Sequence, residues 1–252
     1  MKRSVITKTP KVCVMKKLIA LVLSTAMLLS IASCSKKDQT RVSSQDIGNV
    51  SLSEAEIGSS VLFGSYEQDN NAINGKEDVE WIVLAREGNR ILVISRYALD
   101  CQKFNTSYTA VTWETCSLRK WLNTTFLNDA FSAEELSKIP LVEVSADKNP
   151  SYGTSPGNST NDRVFLLSIA EANKYFDSDE ARKCQGTDYC YAKGAYKADN
   201  GNCWWWLRSP GFSSYIAADV YGNGSVSSLG DIVNCNFSAV RPALWINLAI
   251  RM

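Results

Sequence analysis

Eight cysteines and no histidine bound the chemistry open to this 252-residue chain. Without imidazole there is no histidine-based triad, no histidine-cysteine dyad and no histidine-ligated metal site, so the commonest general base is missing. Six cysteines, Cys101, Cys116, Cys184, Cys190, Cys203 and Cys235, fall in the C-terminal two thirds. In an oxidising compartment this even set allows fifteen connectivities. The expected pairing is Cys101 with Cys116, Cys184 with Cys190, and Cys203 with Cys235, against a rival in which all six are free buried thiols. A structural zinc site lacks both C-x-x-C spacing and histidine, so no metal is expected there. Cys184 and Cys190 could instead be a redox pair, which needs an electropositive, accessible setting. Asp177, Asp179 and Glu180 lie in a polar stretch and read as solvated charge. Asp69-Asn70-Asn71 and Asn158 to Asp162 offer oxygen ligands without the spacing of an EF-hand loop, so calcium is a minor alternative and no cofactor is expected.

Trp204-Trp205-Trp206 is the second feature with chemical content. In a strand, neighbours point to opposite faces, so either Trp205 or the pair Trp204 and Trp206 could form an exposed platform for stacking on a sugar ring. The alternative is that all three are core. Arg208 and Arg241 lie in otherwise apolar strands, where an unpaired buried charge is costly. Each should have a partner, with Asp219, Asp231, Glu80 and Asp100 as candidates, in a structural pair rather than a ligand contact.

Ahead of these residues lies an address. Lys16 and Lys17 precede the uncharged run from Leu18 to Ser33, which ends in small residues just before Cys34. Sixteen residues at 1.5 Å rise span roughly 24 Å, short of a bilayer core of roughly 30 Å. Ile31-Ala32-Ser33-Cys34 resembles a bacterial lipobox, which implies cleavage before Cys34, lipidation of its thiol, and an extracytoplasmic protein held to the membrane by lipid. The true start is Met1 or Met15. The expected organisation is a signal peptide over 1–33, a polar tether over 34–60 that cannot bury enough surface to fold alone, and one globular domain over 61–252. Cleavage removes six basic side chains (Lys2, Arg3, Lys8, Lys11, Lys16, Lys17) and no acid, leaving 21 basic against 26 acidic residues and a net charge of −5. That balance argues against nucleic acid as a partner.

The elements that must position these residues follow from pattern. Val79 to Arg86 and Arg90 to Arg96 read as a hairpin around Glu87-Gly88-Asn89, with Val61 to Tyr66 beside it. Thr112 reads as the N-cap of a helix to about Phe126, with Leu118, Trp121 and Leu122 on its buried face. Ser132 with Glu135, and Ser168 with Glu171, are capping boxes, and Pro140 stops the first of these helices. Between them lie a long loop, Ser145 to Asp162, and a buried strand, Val164 to Leu167; a second long loop runs from Asp177 to Gly201. The C-terminal third reads as strands Cys203 to Arg208, Tyr215 to Tyr221, Ser225 to Leu229 and Ala239 to Leu248, with a Gly222-Asn223-Gly224 turn. Strands, then two or three short helices, then strands is the order of an α+β fold, mainly antiparallel.

Trp205-Trp206-Leu207-Arg208-Ser209-Pro210-Gly211 and Val240-Arg241-Pro242-Ala243-Leu244 together resemble an uncharacterised bacterial domain family. Phe63-Gly64-Ser65-Tyr66, Leu99-Asp100, Leu118-Arg119-Lys120-Trp121-Leu122-Asn123 and Val164-Phe165-Leu166-Leu167-Ser168 match it in order. The ending also resembles the C-type lectin-like fold shared with formylglycine-generating enzymes, although the Glu-Pro-Asn or Gln-Pro-Asp triplet of calcium-dependent lectins is absent. Two function classes follow: a non-catalytic surface module that binds a glycan or an envelope protein, or a thiol-dependent oxidoreductase related to formylglycine-generating enzymes.

Overall fold

The computed structural model describes residues 47–248; the leader, Cys34 and the first part of the expected tether lie outside them. The Glu87-Gly88-Asn89 signal folds as expected. β3 (Glu77–Glu87) and β4 (Arg90–Ser95) are antiparallel, with Glu87 opposite Arg90 across the two-residue Gly88-Asn89 turn. The apolar side chains of β4 are buried throughout, so this strand sits inside the core rather than on its surface. β2 (Ser59–Tyr66) pairs with the other edge of β3, and β1 (Ile47–Asn49) pairs in parallel with β2. The expected tether therefore enters the sheet before Ser60: Ala55, Ser59 and Ser60 are buried, and Gly58 N–H donates to the Val83 carbonyl at 2.8 Å.

The helices are short. Thr112 does not cap the first; it accepts turn bonds from the Thr115 and Cys116 N–H groups. The cap is Cys116, whose sulfur accepts the Arg119 N–H at 3.4 Å, one residue before α1 (Ser117–Trp121). A π-helical turn, Leu122–Phe126, leads into α2 (Leu127–Ala130). At the head of this widened turn Asn123 bonds the Val164 N–H and carbonyl, docking the helix on the strand that follows. Both capping boxes form, on α3 (Ala133–Lys138) and α4 (Ile169–Tyr175). The long loops carry more structure than their composition predicts. β6 (Val142–Val144) pairs with β7 (Thr160–Asp162), and the 177–201 stretch holds α5 (Asp179–Arg182) and α6 (Asp188–Ala192).

Two sheets share the core. The first is ordered β1-β2-β3-β4-β13-β8 and the second β11-β10-β9-β12-β5. Here β5 is Asp100–Cys101, β8 Val164–Phe165, β9 Trp205–Pro210, β10 Ile216–Val220, β11 Val226–Ile232, β12 Ala239–Val240 and β13 Ala243–Asn247. The expected single strand from Ala239 to Leu248 is thus two strands in two sheets. They part at Arg241-Pro242, where proline lacks the N–H that a continuous ladder would need. Apart from β1 with β2 and β12 with β9, every strand pair is antiparallel, giving an α+β architecture.

Candidate functional site

All six residues of β9 are buried, and this decides the fate of the tryptophan triplet. Trp205 and Trp206 do alternate, but both faces are covered. The Trp205 indole donates to the Arg182 carbonyl at 3.3 Å, and the Trp206 indole donates to the Gln102 carbonyl at 3.0 Å with its ring 5.7 Å from Phe104. A platform on Trp205 or Trp206 is therefore ruled out. Trp204 precedes the strand and remains half-buried. Its ring centre lies 4.8 Å from Tyr221, 5.0 Å from Tyr196 and 5.8 Å from Phe237.

Backbone bonds fix this cluster. Ala239 N–H donates to the Trp204 carbonyl at 2.7 Å and Tyr196 N–H to the Phe237 carbonyl at 2.8 Å. The turn after Tyr221 is pinned by Asn200 and Asn202, whose amides both donate to the Gly222 carbonyl at 3.0 Å. A side chain at Gly222 would meet Ala198 at 3.0 Å, and one at Gly224, where φ is +87°, would strike the Asp179 carbonyl. Gly224 is required by close approach as well as by conformation, whereas Gly222 is favoured by close approach alone. The three partners of Trp204 come from separate segments, so no sequence spacing marked them.

A second aromatic surface lies beyond the other end of β9. Tyr108, Tyr152, Phe212, Tyr215, Leu229 and Ile232 are each between 40 and 57% exposed. Tyr108 and Tyr215 are 5.2 Å apart, Tyr152 and Phe212 6.2 Å. The Phe212 N–H donates to the Leu229 carbonyl of the edge strand β11, and the Val233 N–H to the Tyr215 carbonyl.

The two arginines find partners other than those the sequence offered. Arg208 forms a two-pronged pair with Glu171, one prong at 3.0 Å, and donates to the Leu166 carbonyl at 2.8 Å. Glu171 read only as a capping residue; its carboxylate serves both the Ser168 N–H and the guanidinium. Arg241 meets no carboxylate among the described residues. Its guanidinium donates to the carbonyls of Ser95, Arg182 and Arg96 and lies over Trp205 at 5.1 Å and Phe176 at 5.5 Å. Glu80 is taken by Arg96, and Asp100 accepts from the Tyr66 hydroxyl at 2.7 Å. Asp219, opposite Trp206 in the sheet, pairs with neither arginine. Neither of its oxygens makes a well-formed hydrogen bond. Burial, reinforced by the Asp231 charge and opposed by Ser227, pushes its carboxyl up to about 7.

All six cysteines of the fold are buried and free, and their neighbours differ from the expected pairs. Cys203 lies on Cys184 rather than Cys235, its Sγ 3.3 Å from the Cys184 carbonyl. Cys101 and Cys235 both approach Ser238, at 3.5 and 3.6 Å. Cys190 donates to the Asp100 carbonyl at 3.2 Å, and Cys116 to that of Trp113 at 3.4 Å. Burial pushes Cys101 and Cys116 up to about 12. Burial also raises Cys190. Of the oxygen-rich stretches, Asp162 is spoken for by Arg119 at 2.6 Å, Trp113 at 3.0 Å and Thr160 at 2.6 Å. Asp69 converges with Glu67 and Glu77, an acidic group in which the exposed Asp69 closes a turn on Asn71 and Asn74. A polar groove of 620 Å³ lies beside the π turn, but its charges are mostly committed, Arg119 to Asp162 and Arg163 to the Ile139 carbonyl.

Chemically, the Trp204 cluster is four packed aromatic rings, partly exposed at Trp204. An α+β domain with a partly buried aromatic cluster at one end of a buried strand is the class this fold and site define. The chain belongs to the family of domains of unknown function DUF6273, whose model matches residues 88–248. No curated protein and no solved structure matches it.

Proposed function

We propose that this chain is an extracytoplasmic lipoprotein, anchored through Cys34, whose domain is a non-catalytic binding module taking a glycan on the Trp204 cluster. The observation that carries this reading is that Trp204 alone of the triplet keeps exposed surface and is braced by three rings within 5.8 Å. A sugar's C–H face stacks on such a surface, and rings already held in place lose little freedom on binding. The succession of a Trp-rich strand, a hairpin and a closing strand also resembles the C-type lectin-like fold. Burial of all six thiols favours this reading over a thiol-dependent oxidoreductase, which needs an accessible thiolate.

The test is a glycan array probed with the wild-type domain, with hits titrated against Trp204→Ala. Binding should fall at least tenfold in the variant while its far-UV spectrum stays native; a blank array for the folded wild type, or unchanged affinity in the variant, removes the reading. Cys34→Ala should release the protein from membranes. An envelope protein is the second reading, favoured by the six exposed apolar side chains around Phe212, and Phe212→Ser would then weaken capture of that partner.

A further inference from the structure

Cys184 follows α5, and Cys203 stands immediately before the tryptophan triplet. The Cys203 N–H donates to the Cys184 carbonyl at 2.8 Å, and the Cys203 Sγ lies 3.3 Å from the same oxygen. The two residues are thus backbone neighbours, and a disulfide needs Cα atoms within roughly 4.4–6.8 Å of each other. The other thiols are turned to other groups: Cys190 to Asp100, Cys116 to Trp113, and Cys101 with Cys235 to Ser238. Cys184 also lies against the buried Arg241. Its Sγ and the Arg241 Nη2 both reach the Arg96 carbonyl at 3.5 Å.

We infer that Cys184 and Cys203 close as a disulfide, stapling segment 185–202, which carries α6 and Tyr196, to the foot of β9. The bond forms by exchange with a disulfide oxidant of the glutathione type. The Cys184 thiolate attacks one oxidant sulfur and expels the other as a thiolate, leaving a mixed disulfide. Cys203, deprotonated, then attacks the Cys184 sulfur and expels the second thiolate. The two protein thiols give up two protons and two electrons, and the oxidant's disulfide becomes two thiols. Burial alone would raise the Cys184 thiol, but the Cys203 side chain and the Arg241 guanidinium outweigh it and bring it down to about 7. That value belongs to the closed site; in the open chain the first step draws on the ordinary thiolate fraction of an exposed cysteine, whose thiol ionises at about 8.5. Exchange takes place before segment 185–202 has closed, because both sulfurs end up buried.

The test refolds the full chain in a reduced and oxidised glutathione buffer, quenches with iodoacetamide, and maps peptides without reduction. A Cys184–Cys203 cross-link is expected. Trypsin leaves Cys184 and Cys190 on one peptide, so fragmentation between them, repeated on Cys190→Ser, identifies the sulfur. Reduction of the refolded wild type should lower Tm by about 6–12 °C, the loss expected for opening a loop of this length in a domain of this size. A Cys101→Ser, Cys235→Ser double variant should keep both the link and the shift. Recovery of Cys184 and Cys203 as alkylated thiols, a link from Cys203 to any other cysteine, or a Tm unmoved by reductant overturns the inference. Mapping uses the wild type, so a variant that fails to fold does not spoil it.

Discussion

At the Trp204 end of β9, four rings are pressed together around a pinned turn, whereas at the Phe212 end, ring pairs 5.2 and 6.2 Å apart spread along the edge strand β11 with about half their surface in water. Aromatic content is similar at both ends; what differs is how firmly the rings are held. A braced cluster suits a small rigid ligand whose binding energy would otherwise go into ordering loose side chains. A broad exposed band gains most from burial of area, as in protein contact. Between them runs a strand buried on both faces.

The largest effect should come from that strand. Trp206→Ala removes a fully buried ring and its bond to Gln102, and urea denaturation should show a loss of about 3–5 kcal/mol. A loss under about 1 kcal/mol would mean that β9 is not the rigid bar separating the two surfaces. Asp219, on the same face as Trp206, comes next. Its folded-state pKa of about 7 lies above the usual carboxylate value near 4. The stability linked to it is fully present below about pH 4 and is lost as the pH rises through 7. Asp219→Asn should abolish this decline and leave the domain more stable than wild type at pH 8, by on the order of 2–4 kcal/mol. Parallel pH–stability curves for the two proteins would refute a buried, unpartnered carboxyl.

Smaller effects separate the two ends directly. Trp204→Ala should cost about 1–2 kcal/mol, since the ring is half-buried yet touches three others. Phe212→Ser should cost less than about 1 kcal/mol, because an exposed ring contributes little to folding. If the order is reversed in thermal melts, the braced and loose ends have been assigned the wrong way round.

Local signals carried much of the fold. The Gly88-Asn89 turn and the two capping boxes needed only neighbours in sequence, and each forms as expected. Thr112 failed as a cap because Cys116, four residues on, offers its sulfur to Arg119 instead. The apolar run from Ala239 to Leu248 has the pattern of one strand, but Pro242 divides it into β12 and β13. Glu171 was legible as a cap and not as the partner of Arg208, since a carboxylate's second bond leaves no trace in local sequence.

The sequence by itself determined the absence of histidine chemistry, the turns, the caps, the alternation of the tryptophans and the need for the buried arginines to be satisfied. Alternation says which side chains oppose each other and nothing about what covers either side. Tertiary structure alone decided that Trp205 and Trp206 are core, that Trp204 keeps its surface, that Arg241 is met by carbonyls and rings, and that Cys203 lies on Cys184. Those outcomes depend on segments far apart in the chain, brought together by burial of the whole core, which acts through area and carries no record in local spacing.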